Sequence, residues 1–280
     1  MRHKLLLPII VLALAALACS ANITLPTVAT AGAEVTEQVS VPSPGSGQTD
    51  LTISFGAGKL TLSPGAAKLV EGTATYNVSA LKPNVVTDGS RVEIKQGGEW
   101  TLPEPSGIKN EWDFKLGSRP MSLSVNAGAY TGEFELGGLS LTNLTVKDGA
   151  ATVDVSFSKP NASAMTLFRY ETGASKVKLQ GLSNANFSTM VFNGGAGDYT
   201  LDFGGPLKRE ATVTVSTGLS NMILVVPEGV PAKVTVESGA SNVNAGSGWT
   251  QAGTLYSQPG SGPTLTVLLK SGAGNVTLTR

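Results

Sequence analysis

Cysteine and histidine are almost absent from this sequence, with one of each in 280 residues, Cys19 and His3. Everything beyond residue 19 therefore lacks both. That excludes an internal disulfide, Ser-His-Asp and Cys-His catalysis, and zinc sites built on His and Cys. Charge of one sign is missing too: Lys and Arg number 20, Asp and Glu 20, and removal of Arg2 and Lys4 with a leader leaves 18 against 20. A near-neutral chain without a basic cluster is a poor partner for nucleic acid. Aromatic residues are few, so each of the three Trp that falls outside a core pattern counts as a candidate contact. The one long apolar run, Leu5–Ala18, is too short to span a bilayer comfortably.

What the chain does have is glycine, 34 residues of it, set in a recurring frame. In Val213–Val226, Val213 and Val215 alternate with polar residues, Gly218 interrupts, and Met222 and Leu224 resume the alternation. The frame returns around Gly56, Gly128, Gly149, Gly173, Gly195, Gly239 and Gly272. Positions five and three before the glycine, and four and six after it, hold 31 apolar residues in 32 places, the exception being Gly132. Two before the glycine stand Ser54, Asn126, Lys147, Glu171, Asn193, Ser216, Glu237 and Lys270, all polar. Five after stand Thr61, Glu133, Asp154, Lys178, Thr200, Ile223, Asn244 and Thr277, polar except one. Strict alternation predicts strands with one buried face. The glycine between them predicts a corner where a side chain would be in the way.

From Gly128 to Gly239 the glycines are 21, 24, 22, 23 and 21 residues apart, the period of a repeat that buries its apolar face by stacking on its neighbours. The Leu-x-x-Leu-x-Leu pattern and asparagine column of leucine-rich repeats are absent. The expected fold is all-β, a single-stranded parallel β-solenoid of about 22-residue coils. Eight coils at roughly 4.8 Å each make a rod on the order of 40 Å long.

Along the chain, Arg2, His3 and Lys4 precede the apolar run, as in an export signal. Its end, Ala16-Leu17-Ala18-Cys19, resembles the bacterial lipobox, which implies cleavage before Cys19 and acylation of that residue. The alternative is an ordinary signal in which Cys19 is incidental. The boundaries expected are a leader over 1–19, a flexible Pro/Ser/Thr tether over 20–50, irregular N-terminal coils over 51–121 and regular repeats over 122–280. Within the third segment a loop or hairpin is expected around Glu99-Trp100-Thr101. Between Gly239 and Gly272 the interval stretches to 33 residues, a glycine-rich excursion. The last unit, Leu265–Leu278, is expected to end the stack and leave an open strand edge through which copies could pair.

LTISFGAGKLTLSPGAAKLVEG, the later TYN, the Pro83-led strand and VEIKQ resemble the N-terminal part of the toast-rack domain family. GAYTGEFELGGLSLTNLTVKDGAATVDVSFSKPN, GASKVKLQGLSNANF and GGAGDYTLDFGG are similar to the same family's repeats. The resemblance covers about Leu51–Val243. It implies a β-solenoid related to adhesin-like and LiaF-like bacterial envelope proteins, and it supplies no catalytic motif.

For a site, Glu133, Asp154 and Lys178 fall in one outward column of consecutive coils, neighbours roughly 5 Å apart. β-Helical polysaccharide lyases and hydrolases place acids and bases on one face in this way, although a solvated face with balanced charge has the same pattern. Trp100 and Trp249 lie in loops rich in glycine and proline and are candidates for stacking on sugar rings. Trp112, alternating with Phe114 and Leu116, reads as core, and Tyr256 lies outside the regular columns. Gly194–Asp202 is similar to one calcium-binding β-roll repeat, but Asp198 is one place early and no stacked copy follows. It reads as a tight corner, and no metal or cofactor is expected. The expected function is a non-enzymatic, lipid-anchored extracytoplasmic surface protein for adhesion or envelope-stress sensing. The alternative is a module that binds or cleaves envelope polysaccharide through the acidic column. Its expected partners are the membrane, through the lipid, and an envelope polysaccharide or protein.

Overall fold

The computed structural model describes residues 31–97 and 107–280. The leader, Cys19, Trp100 and the loop expected around it lie outside the described residues. Those residues form sixteen strands and two short 3-10 turns, at Ser79–Leu81 and Leu182–Ala185. The strands are β1 (Val35–Val41), β2 (Thr49–Ala66), β3 (Val70–Tyr76), β4 (Pro83–Asp88), β5 (Arg91–Gln96) and β6 (Asn110–Gly117). They continue with β7 (Met121–Glu135), β8 (Leu141–Asp148), β9 (Ala150–Ser156), β10 (Met165–Gln180) and β11 (Phe187–Asp202). β12 (Ala211–Val225), β13 (Ala232–Ala245), β14 (Thr250–Ala252), β15 (Leu255–Gln258) and β16 (Leu265–Thr279) complete the set. Among the described residues no helix is long and apolar enough to cross a membrane.

The alternation in the sequence is the alternation in burial. In β11, Phe187, Met190, Phe192, Tyr199 and Leu201 are buried while residues between them reach the surface. Long strands run through their corner glycine and pair in parallel with the next coil. Leu51, Leu123, Leu144, Phe168, Met190 and Val213 are partners in turn, so columns counted from the glycine align residue for residue. The inner columns merge into one apolar core running the length of the stack. Gly132, the exception among the apolar places, is where the Tyr130 ring fills the space a side chain would take.

Corner glycines stack directly on one another. A Cβ on Gly195 would come within 2.5 Å of the Gly173 carbonyl oxygen, one on Gly218 within 3.0 Å of that of Gly195, and one on Gly272 within 2.8 Å of that of Gly218. Backbone bonds tie the same column together, Gly149 N–H donating to Gly128 O at 3.1 Å and Gly173 N–H to Gly149 O at 3.1 Å. The coil can bend this tightly because no side chain separates neighbouring turns.

Four expectations need correction. First, the units do not stack in chain order: β16 lies between β12 and β13, parallel to both. Leu265, Val267, Leu269, Val276 and Leu278 are fully buried there, whereas Val243 and Ala245 of β13 are only partly buried. The more apolar strand takes the inner place. Second, the open edge is therefore not on the last unit. β15 and β14 pair antiparallel on the outside of β13 but cover only Ala232–Thr235, and Ser238–Ala245 has no outer strand partner among the described residues.

Third, the irregular N-terminal coils contain antiparallel pairs, β1 with β3, β3 with β6, and β4 with β5, beside the parallel pairing of β5 and β6 with β2. Only Gly89 and Ser90 join β4 to β5, and two residues can close an antiparallel pair but not a parallel one. Fourth, the tether is shorter than 20–50. β1 places Val39 and Val41 in the core, and β2 already begins at Thr49.

The glycine column makes a graded prediction. Gly195→Ala should destabilise the fold by about 1–3 kcal/mol, the usual cost of overpacking. Gly149→Ala should cost less, because its Cβ would stop 3.2 Å from the Gly128 carbonyl oxygen. Urea unfolding of the two variants checks the order.

Candidate functional site

The outward column exists as a geometric object. Glu133 of β7 is the register partner of Asp154 of β9, which is the partner of Lys178 of β10. All three are exposed. The same line continues through Thr200, Ile223, Thr277 and Asn244. Glu133 is also engaged sideways: Lys59 Nζ lies 2.9 Å from its carboxylate, and that bond raises the Lys59 pKa. One column over, Asn275 Nδ2 donates to Asn221 Oδ1 at 2.8 Å, and Asn221 Nδ2 donates to Asp198 Oδ1 at 2.8 Å. Asp198 is thereby the end of an amide ladder on the outer face.

The tryptophans divide. Trp112 is core, as expected, at 1% exposure and 5.1 Å from the Phe55 ring. Trp249 is half-buried and packs against the core, and its indole nitrogen is buried without a partner. Tyr256 is also buried, opposite Val234. Neither ring is a free stacking platform, because the excursion that carries them folds back onto β13.

A second cluster lies at places that the apolar alternation does not mark. Positions one before and two after the glycine share the inward parity of the core columns, yet several are polar: Asp148, Thr172, Thr217 and Ser271 before it, Ser175, Ser220 and Ser241 after it. Their hydroxyls bond across the bend, Ser220 to Thr217 at 2.9 Å and Ser241 to Ser271 at 2.8 Å. Asp148 is the centre of the largest group. Its carboxylate accepts from the hydroxyls of Tyr170 at 2.7 Å, Tyr130 at 3.5 Å and Thr172. Ser175 completes the group, accepting the Ala151 N–H at 2.9 Å. Burial pushes the Asp148 pKa up, against the lowering effect of these hydroxyls. Burial also raises Tyr130 and Tyr170, which remain donors. A polar residue at an inward place was the available signal.

Outside this cluster the strand bends form a trough. Three cavities of about 530, 590 and 400 Å³ follow one another along the glycine column. Lys147 and Asp148 line both the first and the second, and Ser216 and Thr217 line both the second and the third. The walls are the polar residues two before each glycine. Among the described residues no group of three or more Asp, Glu, His or Cys side chains is placed to hold a metal ion.

Glycine-kinked strands stacked in register, with an apolar inside and polar outer columns, define an all-β repeat protein. Residues 30–168 match the family of the N-terminal domain of toast_rack, DUF2154. Its fold is similar to that of a candidate cell adhesion protein of Clostridium sporogenes, with 22% identity and a TM-score of 0.52 over 88% of this chain and 99% of that one. A candidate adhesin of Bacteroides fragilis is 10% identical over 89% of this chain and 99% of its own, with a TM-score of 0.35. A candidate lipid binding protein of Parabacteroides distasonis is 10% identical over 88% of this chain and 98% of its own, with a TM-score of 0.39. No curated protein matches the chain.

Asp148 makes a pH prediction whose sign is unusual for a carboxylate. Its folded pKa lies above the ordinary 3.8, so the folded state holds the proton more tightly than the unfolded one. Stability from this group therefore increases as pH falls through the folded value and levels off below 3.8. Subtracting the pH–stability curve of Asp148→Asn from that of the wild type should isolate this slope. A flat difference would mean the carboxylate is solvated.

Proposed function

We propose that this protein is a non-enzymatic surface lipoprotein in which a parallel β-solenoid, tethered through Cys19, holds an outer polar face away from the membrane for adhesion to the cell envelope or to another surface. The observation that carries the reading is the in-register outer column through Glu133, Asp154 and Lys178. It repeats one side-chain position at every strand spacing, and a face of that regularity suits an extended, repetitive partner. The fold likeness to a candidate cell adhesion protein supports the same reading. Glu133 and Asp154 act as contacts here, with Lys59 and Lys178 balancing their charge. Trp100 remains a candidate contact, and Trp249 serves the core.

The test is retention of isolated envelope polysaccharide by the immobilised protein, with soluble sugar measured in the eluate. Retention without release is expected, and Glu133→Ala with Asp154→Ala should weaken it by about fivefold or more, as loss of two exposed charged contacts implies. Release of sugar would overturn the non-enzymatic reading. The unpaired edge of β13 adds a route to self-association. Mass in solution should rise with concentration, and Asn244→Lys should suppress that rise. A wild type that stays monomeric would dismiss this route.

A further inference from the structure

The trough along the glycine column is a separate feature from the outer column, and its chemistry defines a ligand. We propose that it binds one extended strand of a linear, uncharged polysaccharide, with successive sugars lying across successive coils. The proposal rests on the adhesion reading only in taking envelope polymers as the ligands within reach.

Shape comes first. Because adjoining cavities share their end residues, the trough is continuous from Gly56 to Gly239. It crosses β5, β2, β7, β8, β10, β11, β12, β16 and β13 in that order, and eight intervals of ~4.8 Å give ~38 Å. A compact metabolite would fill a fraction of that length. Charge comes second. Lys147 lies 3.2 Å from Glu171, Lys270 lies 3.2 Å from Glu237, and Lys95 lies 3.5 Å from Glu93. Every wall lysine faces a carboxylate, and the further carboxylate, Asp148, is held by three hydroxyl donors inside the bend, so the trough offers no strong field to a polyanion or a polycation.

Hydrogen-bonding capacity comes third. Ser54, Asn126, Asn193 and Ser216 present both donors and acceptors, and the floor is glycine backbone with no side chain over it. A polyhydroxylated chain complements such walls. A polypeptide lying in the trough would run across the strands, and between coils the ladder groups are already paired, so it could add no strand to the sheet. Strand intervals are ~4.8 Å, close to the advance of one sugar in an extended β-1,4-linked chain, and because alternate sugars are turned over, the same wall position meets the same sugar position at every second coil. Phe55, the only ring among the described trough residues, is 2% exposed. Without a stacking platform each sugar contributes little, and length supplies the affinity.

Oligomers of β-1,4-linked N-acetylglucosamine, from the dimer to on the order of eight sugars, would be titrated calorimetrically into the full chain, with polygalacturonate as the charged control. Affinity should rise about tenfold or more from shortest to longest. It should fall about tenfold with Asn193→Arg plus Ser216→Arg, and again with Asn126→Arg, which fill the trough at two separate places. Unchanged unfolding midpoints would show that these variants fold, and Glu133→Ala with Asp154→Ala should bind the oligomers normally. Length-independent affinity, preference for polygalacturonate, or indifference to the arginines would overturn the proposal. Failure of all oligomers to bind, with envelope retention still lost in the Glu133/Asp154 variant, would remove the trough and leave the adhesion reading standing. Oligomer binding without envelope retention would do the reverse.

Discussion

Close contact between backbones at the corner is the constraint on which the rest of this molecule depends. The eight stacked glycines let each coil bend against the carbonyl of its neighbour, and only that bend brings the two halves of a coil over a common core. Widen the corner and the two halves of each coil move apart, taking with them the register that aligns Leu51 with Val213 through four intermediate strands. The same bareness shapes the outside. Where the glycines leave the backbone uncovered, the bend becomes a trough, so the feature that permits packing also creates a surface.

Inside the bend the structure accepts polar groups at places a uniform core would fill with hydrocarbon. Asp148 survives because Tyr130, Tyr170 and Thr172 all supply donors. The serine and threonine pairs at the later corners repeat the arrangement without charge. A half-buried carboxylate costs stability even when its hydrogen bonds are satisfied. That the strongest such group sits in the wall shared by two cavities ties the interior network to the outer trough.

The all-β class, the buried columns and the corner glycines were legible from the sequence, because a period of two around a fixed glycine leaves few alternatives. Glu133, Asp154 and Lys178 were placed on neighbouring coils by the same arithmetic. The order of the coils was not legible. Leu265–Leu278 and Val234–Ala245 fit the frame almost equally, and only Ala245, the smallest residue in its column, hinted which strand lies outside. The Asp148 cluster is hidden from the apolar columns because Asp148, Thr172 and Thr217 stand nearest the glycine, at inward places that hold polar residues in some coils and apolar ones in others. The antiparallel β4–β5 pair follows from its two-residue connection, which the repeat period does not mark, while β1–β3 and β3–β6 pair across longer stretches of chain.

The place of β16 also imposes a timetable. A stack of this kind can grow one coil at a time as the chain appears, each new strand finding its template in the one before. β13 breaks that sequence: it is made before β16, yet β16 must end up between it and β12. Until then β12 presents a bare edge, and β13 either waits at a distance or occupies a position it must later give up. Strand edges left open during folding are where chains join wrongly. The last strand is thus the bolt of the assembly, and the interval before it slides home is when this protein is most exposed to pairing with another copy of itself.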